Sequence, residues 1–195
     1  YNRDKNVIHL NEKLFNFLDA KLAKRDYDGL KIVSSVTDKP NAKMDLKSGA
    51  LSVTGVSFVE LSDSNQVSVF PYGGDLVVHQ NRDFTFDGVV ETGRFALYGK
   101  TINFVYDSFE LVFNNIDSLQ YAVPSDLYDN TGLPIDWAVN TVISDLVGTL
   151  SIDAPNNKSG LKDYPEFPKL KSIKDSYIYY DNIKDGLDKR DLFSF

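Results

Sequence analysis

Carboxylates are the side chains of this sequence best placed to do chemistry. Six of them fall along a run of short alternating segments: Asp75, Asp83, Asp87, Glu91, Asp107 and Glu110. Two carboxylates held about 5 to 9 Å apart can act together on a glycosidic bond. Period-two geometry puts Asp83, Thr85 and Asp87 on one side of a strand, opposite two phenylalanines. Any solvated strand face shows this arrangement, so we favour an acidic surface and assign no catalytic residue.

Metal-ligating residues are sparse in the sequence. The two histidines, His9 and His79, lie in different local contexts and the chain has no cysteine, so neither a zinc motif nor a Ser-His-Asp triad is indicated. Oxygen ligands for calcium occur at residues 26–29, 126–129 and 181–182, but none of these stretches follows the EF-hand order. We therefore expect no metal ion and no cofactor, and keep a calcium-dependent adhesin as a weaker alternative.

Three further features could bind a ligand but have plainer explanations. Residues 71–75 (PYGGD) lack the spacing and the Lys-Ser/Thr of a phosphate-binding loop, which predicts a turn. Asn157 begins a glycosylation sequon, a triplet that arises often by chance. An aromatic row could stack on sugar rings or on a partner protein, although a packed strand with a tyrosine rim is favoured. The row consists of Tyr164, Phe167, Tyr177, Tyr179 and Tyr180.

Composition narrows the class of protein. The chain has 195 residues, 42% hydrophobic and 25% charged, which is typical of a globular domain. Its formal net charge of -7 disfavours binding to nucleic acid. No apolar run reaches the roughly 20 residues that cross a bilayer, so we expect no direct membrane insertion. The first residues are not a signal peptide, and both ends look like cuts in a longer chain.

The elements that must position these side chains are short strands. Apolar residues recur two apart from Val67 to Phe113, which is the period of a strand with one buried face. We expect residues 44–121 to form a strand-rich core that buries Leu51, Val53, Val67, Val69, Phe84, Phe86, Phe95, Leu97, Phe104, Phe109 and Leu111. A hexad ending in glycine recurs at residues 50–55, 83–88 and 94–99, and we expect each glycine to close a strand at a turn.

One helix is predicted, over residues 11–25, because Leu10, Leu14, Leu18 and Leu22 recur every four residues. We expect this helix to cap a β-helix or solenoid of stacked short strands, with an antiparallel sandwich or meander as the alternative. Strands are also expected over 30–36 and 177–180, a strand pair is expected over 139–152 around Gly148, and one further strand begins near Phe193. The chain is divided into an N-terminal unit, 1–121, and a second β layer or lobe, 122–195, packed on the first.

Several segments resemble the β-rich repeat region of very large uncharacterised proteins of Bacteroidetes bacteria. They are residues 81–90 (NRDFTFDGVV), 93–100 (GRFALYGK), 104–109, 115–119, 148–160 and 177–181. The resemblance implies a fragment of an exported protein of the cell envelope or the extracellular space, and it carries no activity or catalytic residue.

The function expected from the sequence is that of a non-catalytic structural or interaction module. Its partners would be the flanking domains of the same large protein, and another protein or a polysaccharide. The alternative is a domain that binds or cleaves carbohydrate. A cleft with paired carboxylates and exposed aromatics would favour that alternative.

Overall fold

The computed structural model describes residues 6–16, 30–36, 39–132, 134–138, 141–144, 146–173 and 177–180. Within these ranges the regular structure is entirely β. The strands are β1 (Val7–Leu10), β2 (Leu14–Asn16), β3 (Lys31–Ser34), β4 (Ala42–Asp45), β5 (Leu51–Val53), β6 (Val56–Ser62), β7 (Val67–Pro71), β8 (Leu76–Val78), β9 (Phe84–Thr92), β10 (Phe95–Val105), β11 (Glu110–Tyr128), β12 (Pro134–Ala138), β13 (Thr141–Ser144), β14 (Leu146–Ser151), β15 (Lys169–Ser172) and β16 (Tyr177–Tyr180). No helix capable of spanning a membrane occurs in the described part of the chain.

The strands form two antiparallel sheets. The larger sheet runs β15-β14-β11-β10-β9-β7-β6-β3-β2, with β12 and β13 paired to β11 and β16 paired to β13. The smaller sheet runs β1-β4-β5-β8. The prediction of a mainly β protein is confirmed. The β-helix has no support, because coils of a β-helix pair in parallel whereas the strand pairs described here are antiparallel.

The smaller sheet covers part of one face of the larger sheet. Up to β8 the chain moves back and forth between the two sheets, and from β9 onward it stays in the larger one. Ala42, Val53 and Leu76 are paired across β4, β5 and β8 and are buried in the same hydrophobic cluster as the larger sheet. The face of the larger sheet that contributes to this cluster is called the inner face below.

The period-two pattern predicted the core well. Ten of the eleven residues expected in the core are buried, including Phe84, Phe104 and Phe109, whose rings contact one another. Phe95 is the exception, since 47% of it is exposed. The prediction for Phe95 is therefore wrong. Phe95 is the first residue of β10, and its side chain lies at an end of the strand where the inner face is open.

The predicted capping helix is also wrong where it can be compared. Residues Leu14–Asn16 form β2, in which Phe15 lies opposite Ile32 of β3 and is buried, while Leu14 is exposed. Pairing with β3 buries Phe15, and such tertiary packing outweighs a local helical pattern. Leu10 packs against the core from β1. Residues 17–25, with Leu18 and Leu22, lie outside the described residues, as do Phe193 and its expected strand.

The hexad glycines have two different roles. Gly55 has a φ of 66° in the turn between β5 and β6, as expected. Gly88 and Gly99 instead lie within long strands, directly opposite each other across β9 and β10. A Cβ atom on Gly88 would approach the carbonyl oxygen of Phe70 to 2.2 Å, so close backbone packing requires glycine there. The expected turns at Gly88 and Gly99 are therefore wrong.

The strand predicted over 177–180 is confirmed as β16. The expected strand pair around Gly148 differs in the structure, since Gly148 lies within β14, which pairs with β11 and β15, and β13 pairs with β11 and β16. β11 runs through residue 121, and β14 and β15 extend the larger sheet on the far side of β11. The division of the chain at residue 121 stays a prediction.

Candidate binding cleft

Two neighbouring rows of residues on the inner face differ sharply in how deeply they are buried. The first row consists of Val69, Val90, Leu97 and Leu119, aligned across β7, β9, β10 and β11. All four are buried. The second row, one pleat nearer the strand ends, consists of Val67, Thr92, Phe95 and Tyr121. This row begins fully buried at Val67 and reaches 47% exposure at Phe95.

A cleft of about 690 Å³ opens where the cover of the inner face ends. Its apolar lining consists of Phe95, Leu97, Leu150, Phe167, Pro168 and Leu170. Its polar lining includes Ser64, Gln66, Thr92, Arg94 and Asp163. Because Leu97 and Leu150 belong to the core, the cleft is an opening of the core itself.

The segment after β14 builds the opposite wall of the cleft. Asn65, in the turn between β6 and β7, donates its amide N–H to the carbonyl oxygen of Ile152 at 2.9 Å. Gly160 lies against Ser64 so closely that a Cβ atom would reach its Oγ at 2.4 Å. The turn between β6 and β7 and the segment that follows β14 therefore hold each other in place.

A buried polar pair stiffens this wall. Asp153 and Asn157 are both buried, and the Nδ2 of Asn157 donates to Asp153 Oδ2 at 2.9 Å and to the carbonyl oxygen of Lys162 at 2.8 Å. The Oδ1 of Asn157 accepts from the Lys162 amide at 3.0 Å. The side-chain amide of Asn157 in the sequon is thus buried and hydrogen-bonded, so it is not accessible for glycosylation in the folded chain.

Thr92 has an unusual environment at the mouth of the cleft. It lies on the inner face between Val67 and Phe95 and is 6% exposed. Among the described residues, its hydroxyl is the buried side-chain polar atom that lacks a hydrogen-bond partner. A buried hydroxyl without a hydrogen bond lowers the free energy of unfolding by about 1 to 3 kcal/mol, so a hydrogen bond from a ligand would remove this cost.

Charge at the cleft is nearly balanced. Arg94 donates from Nε to Asp136 at 2.9 Å to Oδ1 and 3.1 Å to Oδ2, so its guanidinium already has a carboxylate partner. Asp163 is the carboxylate in the lining of the cleft. The cleft therefore presents an apolar interior with one carboxylate and one paired guanidinium at its edge.

The six carboxylates singled out in the sequence lie outside the lining of the cleft, and three of them hold the backbone or a neighbouring strand. Asp83 and Asp87 share the outer side of β9, as predicted, and accept from the amides of Tyr106 at 2.8 Å and Thr101 at 2.7 Å. Glu110 accepts from the Ser151 hydroxyl at 2.7 Å. The cleft is lined by none of the six. Asp83, Asp87 and Glu110 therefore have structural roles in the described part of the chain.

The other candidate residues are not brought together either. His9 on β1 and His79 after β8 belong to opposite edges of the smaller sheet, roughly 14 Å apart at the usual strand spacing. In the ranges described, no three His, Asp or Glu side chains form a possible metal site. Asp129 accepts from the amide and hydroxyl of Thr131 at 2.8 and 2.6 Å. Residues 26–29 and 181–182 lie outside the described part.

Sequence reasoning found one cleft residue and missed the others. Phe167, from the aromatic row, lines the cleft, and Tyr164 is partly buried nearby in sequence. Thr92 and Arg94 were not singled out. A usable signal was present, because Thr92 is a polar residue at the last inward position of a strand that otherwise buries Phe84, Phe86 and Val90.

The cleft has the features of a binding site: a concave apolar interior, a few polar groups and walls fixed by hydrogen bonds. Among the described residues its lining has one carboxylate, Asp163, and not the pair that would favour cleavage of carbohydrate. Comparison with protein-family models, curated proteins and solved structures finds no match to this chain.

Proposed function

We propose that this protein is a non-catalytic interaction module that holds a small, mainly apolar ligand in the cleft. The observation that carries the proposal is the change in burial along the inner face of β10. Leu97 is buried in the core, whereas Phe95, two residues away on the same face, is exposed. The volume of about 690 Å³ lies within the usual range for small-molecule sites.

The apolar lining supports binding by burial of surface. Phe95 and Leu170 are both exposed in the cleft and lie next to core leucines. Covering one such side chain is worth about 1.5 to 3 kcal/mol, so two or three of them can supply useful affinity. The absence of catalysis is part of the proposal and is supported by the structural use of Asp83, Asp87 and Glu110.

The wider context rests on the resemblance to very large Bacteroidetes proteins. We propose that the chain belongs to an exported, envelope-associated or extracellular protein, where flanking domains of the same polypeptide are its neighbours. For the described part we propose the antiparallel sandwich that was the alternative architecture, since two sheets share one hydrophobic cluster.

Binding of carbohydrate is the second candidate. It is favoured by the hairpin of β11 and β12, where Trp137 is 58% exposed and pairs with the exposed Val123. Tyr128 is exposed at the far end of β11. Exposed aromatic faces of this kind can stack on sugar rings. Incubation with bacterial, algal and plant polysaccharides, followed by detection of bound sugar and new reducing ends, tests this candidate.

The experiment that tests the proposed function is titration with 1,6-diphenylhexatriene, a hydrocarbon that fluoresces in apolar sites. We expect saturable binding that Phe95→Asp weakens at least tenfold, because a charge enters the apolar cleft. Val77→Asp is the matched control, since Val77 is 45% exposed on β8, outside the cleft. Absence of binding, or equal loss in both variants, would contradict the proposal.

A further inference from the structure

We infer that the ligand of the cleft is an uncharged amphiphile, with an apolar body and one neutral hydrogen-bonding group that binds the hydroxyl of Thr92. This inference rests on the proposed function and adds the chemical class of the ligand. Medium-chain alcohols, amides and esters belong to this class, and carboxylates and quaternary amines do not.

The polar contact follows from the environment of Thr92. Its hydroxyl is buried and lacks a partner among the described residues, yet the residue lines the cleft. A threonine hydroxyl can both donate and accept, so a ligand hydroxyl or carbonyl oxygen satisfies it. Because Thr92 lines the cleft, a ligand group there can reach this hydroxyl once the threonine side chain turns toward the cleft.

The apolar body follows from the rest of the lining. Leu97 and Leu150 form the deep end, and Phe95, Phe167 and Leu170 lie around the opening. A chain or ring that enters past Phe95 leaves water for an environment made of aliphatic and aromatic carbon. In such a site the binding free energy becomes more favourable in proportion to the apolar area of the ligand that is buried.

The lack of charge follows from the groups at the edge. A ligand carboxylate would lie near Asp163, and the guanidinium of Arg94 is already bound to both oxygens of Asp136. An anionic head would therefore lose its hydration beside Asp163 and would have to share Arg94 with Asp136. A cationic head would stay in water at the edge of the cleft, near Asp163. It would then be too far out to bind the hydroxyl of Thr92, which would remain unsatisfied.

The test compares three molecules with the same ten-carbon chain: 1-decanol, decanoate and decyltrimethylammonium. Each displaces bound 1,6-diphenylhexatriene from the whole protein at pH 8, below the concentrations at which micelles form. We expect 1-decanol to act at concentrations at least tenfold lower than either ion. Thr92→Val should weaken displacement by 1-decanol about two- to tenfold, the value of one neutral hydrogen bond. Thr92→Ser, which keeps a hydroxyl, should retain most of the wild-type affinity.

The outcomes separate this inference from the proposed function. Binding of the hydrocarbon probe to the wild type tests the proposed function by itself, because the probe makes no hydrogen bond. Normal probe binding with decanoate as effective as 1-decanol would overturn the inference and leave the proposed function standing. So would a Thr92→Val variant that binds 1-decanol as tightly as wild type. Failure of the probe to bind wild type would overturn the proposed function.

Discussion

The inner face of the larger sheet has a covered region and an open region built from the same strands. In the covered region, Phe84 and Phe104 are almost completely buried in the hydrophobic cluster that the two sheets share. In the open region, Phe95 of the same β10 as Phe104 is nearly half exposed, and the cleft begins. The alternation of side chains is the same in both. The two regions differ in whether another part of the chain packs on the inward side chains.

This difference shows how one sequence pattern produces both a core and a ligand site. Polar groups follow the same division. The buried Asn41, in the connection to β4, donates to the carbonyl oxygens of Glu12 and Val36 and to the hydroxyl of Ser34. The buried Thr92 at the open end has no such partner among the described residues. Satisfied polar groups stabilise the covered region, and an unsatisfied one marks the open region.

The largest expected effect separates Phe104 from Phe95. Phe104→Ala should lower the free energy of unfolding by ~3 to 5 kcal/mol, because it leaves a cavity among Phe84, Tyr106 and Phe109. Phe95→Ala removes a side chain that is already exposed, so it should cost less than about 1 kcal/mol. Urea unfolding of both variants measures the difference. Equal losses would show that the open region is packed like the core.

Asn41→Ala should have the next largest effect, a loss of ~2 to 3 kcal/mol. The substitution leaves the carbonyl oxygens of Glu12 and Val36 and the hydroxyl of the buried Ser34 without their donor. Its control is Asn81→Ala, since Asn81 is exposed and its side chain makes local bonds to Asp83. Chemical unfolding measures both variants. If Asn41→Ala is as stable as the control, the covered region does not depend on this hydrogen-bond cluster.

Thr92→Val should change stability in the opposite direction. Valine has nearly the same shape and removes the unsatisfied hydroxyl, so the ligand-free protein should gain about 1 kcal/mol. Thermal unfolding without ligand, and again with saturating 1-decanol, measures the effect. The gain should shrink when 1-decanol is present, because the alcohol stabilises only the threonine form through its hydrogen bond. A destabilised valine variant would show that the hydroxyl has a structural partner.

The smallest effect concerns the outer surface of the covered region. Lys31 and Glu60 lie opposite each other on β3 and β6, with Nζ 2.5 Å from Oε1. The hydrogen bond that Lys31 donates to Glu60 raises the pKa of Lys31 above its usual 10.5. The pair therefore stabilises the fold at pH values below 10.5, and this contribution is lost as the pH rises through the higher folded value.

Because both side chains are partly exposed, the Lys31–Glu60 pair should contribute less than about 1 kcal/mol. Unfolding free energies between pH 9 and 12, compared with Lys31→Met, measure the contribution. The wild type should lose its small advantage over the variant at the alkaline end. An advantage that grows with pH would contradict the assigned shift.

The sequence predicted which residues alternate but not which elements cover them. Period-two spacing identified ten buried residues correctly, because alternation is a local property of a strand. It failed at Phe95, since burial of an inward side chain also depends on whether another element packs above that end of the strand. The helix over 11–25 failed at Leu14–Asn16 because Phe15 gains a partner, Ile32, seventeen residues away. The cleft could not be predicted, as it joins residues 64, 92–97 and 150–170, which only the topology brings together.

The measurement that tests the central claim most directly is a map of backbone amide chemical shifts in ¹⁵N-labelled protein titrated with 1-decanol. The claim is that the open end of the inner face is the ligand site. We expect the largest changes at Thr92, Phe95 and Leu97, smaller ones at Leu150 and Leu170, and none in β5 or β8 of the smaller sheet. Changes centred on the smaller sheet or on Trp137, or none at saturating alcohol, would contradict it.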